Sequence, residues 1–124
     1  MTDAPHTAAP HTAAWFDLSS PDAPRARAFY GELFGWPVRV LDETYALVGD
    51  DGSGRPTGGI GQAGPDAPYT GFAVYFRVPD LDAALEHAVR LGGSRRLEPQ
   101  PVPGGDRLAV FTDPDGNAVG LLGK

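Results

Sequence analysis

Slid along itself by 58 residues, the chain meets its own pattern a second time. Pro21-Asp22 falls on Pro79-Asp80, Ala26 on Ala84, Leu33 on Leu91 and Gly35 on Gly93. A period of this size marks one supersecondary unit used twice, each copy needing a neighbour to cover its apolar surface. At 124 residues there is room for two small modules within one domain, and not for two independent domains.

Each copy contains one amphipathic helix. In "SPDAPRARAFYGELFGW" the residues Ala26, Phe29, Tyr30, Leu33 and Phe34 follow i, i+3, i+4, i+7 spacing, and Leu81, Ala84, Leu85, Ala88 and Leu91 do the same in "PDLDAALEHAVRLGG". Asp22 and Asp80 stand where a carboxylate caps the first free amides, and Gly35 and Gly93 where a left-handed residue closes the last turn. Strands surround the helices: "WFDLS", then "PVRVL", "TYALV" and "GGIGQ" in the first copy, and "FAVYFRV", then "RRLEP", "RLAVF" and "NAVGLL" in the second. The expected fold is α+β, two βαβββ modules over residues 14–64 and 71–122 of a single domain spanning 14–124.

Residues 1–13 contain "APHTA" twice and no periodic apolar pattern, so they are expected to be a flexible tail, in which His6 and His11 hold no fixed ligand geometry. The absence of cysteine removes disulfides, thiolate chemistry and Cys-ligated zinc, and fits the cytoplasm. A formal net charge of -6 argues against a nucleic-acid partner, which calls for a clustered basic face. It is compatible with cationic ligands. No apolar run reaches the roughly 20 residues that a bilayer crossing takes, so no membrane partner is expected.

Alternation along the opening strands sorts their side chains. Phe16 and Leu18, and Val74, Phe76 and Val78, are apolar and should pack on the helices. Trp15, Asp17, Ala73, Tyr75 and Arg77 must then point the other way, giving the mixed aromatic and charged lining of a ligand cleft.

The paired modules, the "PDAPRARAFYGELFGW" helix and the closing "FTDPDGNAVGLL" resemble the vicinal oxygen chelate superfamily, which includes glyoxalases, extradiol dioxygenases and bleomycin-binding resistance proteins. The resemblance implies two modules side by side, forming a curled mixed sheet around a cleft that in catalytic members holds one divalent metal ion. It also implies where the metal ligands would stand, on the first and last strands of each module. Those positions fall on Trp15, Gln62, Ala73 and Gly120. A divalent ion needs three or four imidazole or carboxylate ligands, and of this set only Gln62 carries even a neutral amide oxygen. No metal and no other cofactor is expected.

Other patterns carry less. "GGIGQAG" has dinucleotide-loop glycine spacing, but Pro65 and Pro68 follow where a helix would have to begin, so the glycines are read as allowing close approach to a strand. "DPDGN" is a hairpin turn without the later ligands of a calcium loop. The expected function is that of a metal-free small-molecule-binding protein, sequestering or carrying an aromatic natural product as a homodimer. Trp15 and Tyr75 would stack on the ligand, Asp17 and Arg77 would orient it, Tyr45 would contribute from a middle strand, and Gln62, Ala73 and Gly120 would complete the lining. The alternative is a metal-free isomerase or cyclase with Asp17 as general base, although an aspartate beside an arginine would have a lowered pKa and be a weak base.

Overall fold

The computed structural model describes residues 11–50 and 52–124. Residues 1–10, which hold His6 and most of the proposed tail, lie outside the described residues. Ten elements follow in order: β1 (Ala13–Ser20), α1 (Ala23–Phe34), β2 (Arg39–Asp42), β3 (Tyr45–Val48), β4 (Gly58–Gln62), β5 (Gly71–Val78), α2 (Leu81–Arg90), β6 (Ser94–Pro101), β7 (Arg107–Thr112) and β8 (Ala118–Gly123). The architecture is α+β with the βαβββ order occurring twice, as the repeat predicts. The described residues divide into two compact units, Trp15–Ala73 and Val74–Lys124, the latter joined by residues 11–14.

In the first unit the strands run β2-β3-β4-β1, with β1 parallel to β4 and the other pairs antiparallel. In the second they run β5-β8-β7-β6 on the same plan, β5 being parallel to β8. Both sets are thus mixed. Both helices start as predicted: Asp22 accepts from the Arg25 amide and Asp80 from the Ala83 amide, each at 3.1 Å, which satisfies one orphan N–H at each N-terminus. Gly35 closes α1 at φ 65°, a conformation that suits glycine; α2 differs from expectation, being capped by Leu91 at φ -88° with Gly92, not Gly93, in the left-handed region at φ 106°.

Each unit has its own core. In the first, Leu18, Ala23, Val48 and Ile60 are buried, with Phe16, Ala26, Tyr30 and Trp36 packed against them. In the second, Val78, Leu81, Leu85, Ala109 and Leu121 play that part, with Ala84 and Phe111 against them. The helical stripes are narrower than their spacing suggests. Phe29, Leu33 and Phe34 are all more than half exposed, and so is Leu91. Beneath α1 it is Ala23, Ala26 and Tyr30 that meet the core, while the flanking Phe29, Leu33 and Phe34 stay outside.

Candidate functional site

The face of the first unit away from α1 is built around Asp17. Phe16 and Leu18 belong to the core beneath α1, so alternation places Trp15, Asp17 and Ser19 on the opposite face. β4 lies between β3 and β1, and β1 pairs Asp17 with Gly59 and Ser19 with Gly61. On this face, therefore, β4 presents two glycines. Tyr45 of β3 uses the gap: a Cβ added at Gly59 or Gly61 would run into its ring. Lying flat across β4, the ring carries its hydroxyl to Asp17 Oδ1 at 2.9 Å. The glycine-rich strand thus permits a close approach, here of an aromatic ring.

The second carboxylate oxygen is also held. Tyr69, from the turn-rich segment before β5, donates to Asp17 Oδ2 at 2.6 Å. Burial pushes the Asp17 carboxyl above its ordinary value, and the hydrogen bonds from Tyr69 and Tyr45 pull it back part of the way. The lowered pKa expected from a neighbouring arginine is therefore corrected: desolvation dominates, and the hydrogen-bonding groups at Asp17 are phenols. Sequence reading missed Tyr69. A tyrosine after Pro65 and Pro68 and just ahead of a strand was the available signal, but its reach back over 52 residues has no local signature.

In the second unit the corresponding face carries Tyr75, Arg77 and Gly120. Tyr75 pairs with Gly120 across β5 and β8, and its ring occupies the space where a Gly120 side chain would begin. Arg77 donates to Asp106 at 2.9 Å, and Lys124 lies 3.4 Å from the same carboxylate. These hydrogen bonds, led by the one from Arg77, hold the Asp106 carboxyl below its ordinary value. Ala73, at 3 % exposure, is buried.

Gln62 is not on the ligand face, contrary to expectation. It shares its face with Ile60, its Oε1 accepts from the Ala23 amide at 3.0 Å, and its Nε2 donates to the Pro21 carbonyl at 2.7 Å. It ties β4 to the start of α1. Strand pairing gives the reason for the misassignment. Asp17 and Tyr75 are equivalent in the repeat, and their partners are Gly59 and Gly120, so the counterpart of Gly120 is Gly59 and the 58-residue offset is lost before the last strand.

The donor set does not fit a metal ion. Trp15, Ala73 and Gly120 offer no ligand atom, Gln62 is spent on α1, and the space beside Gly120 is filled by a ring. Among the described residues no group of three His, Asp or Glu side chains is placed to hold one. His87 is exposed on α2 beside an apolar groove of about 450 Å³ that includes Phe76, Ala88 and Phe111. The carboxylate in that groove, Asp113, accepts from Asp115, Asn117 and the Asn117 side chain, which fixes the β7–β8 turn.

Residues 8–121 match the family described as Glyoxalase/Bleomycin resistance protein/Dioxygenase superfamily. Two relatives are named as anthracycline biosynthesis proteins, DauV of Streptomyces sp. (strain C5) and DnrV of Streptomyces peucetius. Each is 36% identical to this chain and matches 94% of it. The match covers 48% of either relative, so the chain spans about half their length. In fold it is similar to the Mn(II)-bound glyoxalase of Novosphingobium aromaticivorans, at a TM-score of 0.64 and 19% identity, over 92% of this chain and 39% of that one.

Proposed function

The chain belongs to the glyoxalase/bleomycin resistance protein/dioxygenase superfamily, and on that premise we propose that it is a metal-independent small-molecule-binding protein that sequesters or carries an aromatic natural product. The observation that carries this reading is the first unit's outer face: Trp15, Tyr45 and Tyr69 around the Asp17 carboxylate, each only partly buried. Aromatic rings give contact area at low entropy cost, and a few fixed polar groups give orientation. Two relatives named for anthracycline biosynthesis support a ligand of that flat, polycyclic kind. Ala73 in the first unit, and Tyr75, Arg77 and Gly120 in the second, are likewise proposed to be ligand-binding residues.

A homodimer in the cytoplasm belongs to the same proposal. No helix among the described residues is long and apolar enough to cross a membrane. Edge strand β2 exposes Val40 and Leu41, and α1 exposes Phe29, Leu33 and Phe34. Exposed apolar side chains favour burial against a partner, so a second copy is proposed to cover the β2 and α1 side. Light scattering should give twice the chain mass at micromolar concentration.

Native mass spectrometry of protein taken from its source tests the central reading. An organic ligand and no stoichiometric metal is the expected result, and about one zinc, nickel or manganese ion per chain would overturn it. Trp15→Ala should weaken binding of the recovered ligand by about 1–3 kcal/mol. A second reading, a metal-free isomerase or cyclase, is favoured by the upward push on the Asp17 carboxyl, which makes it a better base. Asp17→Asn distinguishes the two: an enzyme keeps binding and loses about two to four orders of magnitude in turnover.

A further inference from the structure

The α1 side of the first unit holds a cavity of about 310 Å³, at the lower end of the range for small-molecule sites. Ser20, Arg25, Phe29 and Tyr30 are among the residues that line it. Ser20 shares its face of β1 with Phe16 and Leu18, away from Asp17. It is 8 % exposed, and its Oγ accepts from the Asp22 amide at 3.0 Å. Among the described residues nothing accepts the hydroxyl hydrogen in return. A buried donor left unmatched costs free energy that a ligand oxygen would recover. Arg25 is also under-used: among the described residues its guanidinium meets only Asp22 Oδ2, 3.8 Å from Nε and longer than a hydrogen bond, and its side chain is 77 % exposed. We propose that this cavity is a second ligand site, separate from the Asp17 face, that takes a small aromatic acid, with Arg25 receiving the carboxylate and Ser20 donating to a ligand oxygen.

The donors here are side chains and not the free amides of a helix start. Gln62 accepts from the Ala23 amide, Pro24 has no amide hydrogen, and Asp22 accepts from Arg25 through its side chain and from Ala26 through its carbonyl. Arginine has donors and no acceptor, and its planar fork matches a carboxylate in two parallel hydrogen bonds. Among the described residues that line the cavity Arg25 alone is charged. At physiological salt exposed charges more than about 8 Å apart are largely screened, so Arg25 outweighs the net charge of -6 at this spot. The aromatic part of the ligand follows from the walls. The Phe29 and Tyr30 rings have centroids 5.0 Å apart and stand at 86°, so a ring laid flat on one meets the other edge-on, and both arrangements are favourable.

Naphthalene-2-carboxylate, its primary amide and 2-(aminomethyl)naphthalene test the proposal, with backbone amide NMR shifts of the isotope-labelled protein as the signal. The acid should bind about 10 times more tightly than the amide, and the amine more weakly than either, with shifts centred on Ser20, Arg25 and Phe29. Arg25→Gln, at an exposed position, should bring acid and amide to within about threefold of each other. Phe29→Ala should weaken all the probes alike, since it removes a wall and no charge. Phe29 also belongs to the side proposed for a second copy, so Leu33→Glu, outside the cavity, separates the two roles: acid binding should stay within about twofold even where the dimer is lost. Equal affinity for all the probes overturns the proposal, as does an acid preference unchanged in Arg25→Gln or acid binding lost in a folded Leu33→Glu. Shifts confined to Trp15, Asp17 and their neighbours overturn it too, and leave the small-molecule reading above standing.

Discussion

Asp22 in the first unit and Asp80 in the second make the same bond at the same distance, a side-chain oxygen accepting from the amide three residues on. Asp17 and Tyr75, five residues before each cap and superposed by the repeat, share nothing of the kind. One is a carboxylate held between two phenols, and the other is a ring laid over a glycine. What lies under the helices is duplicated, and what lies on the opposite faces is not. The cap and core positions meet the same folding requirement twice, whereas the outer positions differ between the two units. The contrast concentrates the distinctive polar chemistry in the first unit, since Arg77 and Asp106 form an exposed pair of the kind that contributes little to stability.

The largest effect that could break this comparison lies at the covered glycines. Gly120→Ala should destabilise by about 1–3 kcal/mol, because the new methyl group would overlap the base of the Tyr75 ring, which cannot swing away at fixed backbone. Gly59→Ala should cost less, since it meets Tyr45 chiefly near the hydroxyl end. Denaturant unfolding of the two variants measures the difference, and a Gly59→Ala loss exceeding that of Gly120→Ala would reverse the expected ranking.

Next come the caps. Asp22→Ala and Asp80→Ala should each cost about 1 kcal/mol, and the two values should agree within a few tenths if the scaffold is truly duplicated. A thermal or urea unfolding series on both variants checks the agreement.

The smallest effects are in the pH dependence, where sign matters more than size. The folded-state pKa of Asp17 is raised, so its ionisation costs the folded state stability as pH climbs from the ordinary value of 3.8 through the raised one. Asp17→Asn should therefore gain on the wild type over that interval. Asp106 has a lowered folded-state pKa, so its contribution is present above the ordinary value and is lost as pH falls through the folded one. As pH climbs through that lower interval, Asp106→Asn should lose ground to the wild type. Urea midpoints measured at closely spaced pH values give both slopes, and slopes of the same sign would erase the distinction between the two carboxylates.

The scaffold was legible because its determinants are local. Capping aspartates and period-two alternation are short-range patterns, and the repeat displays each of them twice. Asp17 could be placed on its face by that means. Its partners could not, because Tyr45 is 28 and Tyr69 52 residues away in sequence and the bonds depend on a ring crossing a strand. Gln62 failed for a related reason. Counting residues carries an equivalence only as far as the loops keep their length, and hydrogen-bond register is what restores it at Gly59. Phe29, Leu33 and Phe34 show the limit of helical periodicity, which marks an apolar side without saying how much of it has something to lie against.

The Tyr75 ring over Gly120 has a consequence for the chain's evolutionary reach. The resemblance to metal-binding relatives implies that position 120 is where a glutamate would serve as a ligand, and a single codon change can convert many glycines to glutamate. Here that step lands on an aromatic ring. Tyr75 would have to shrink first, opening a cavity with no immediate gain, before the acidic side chain could be accommodated. A side chain at 120 and a smaller residue at 75 should each cost stability alone and less together, so the large ring at 75 and the bare position at 120 act as one coupled pair.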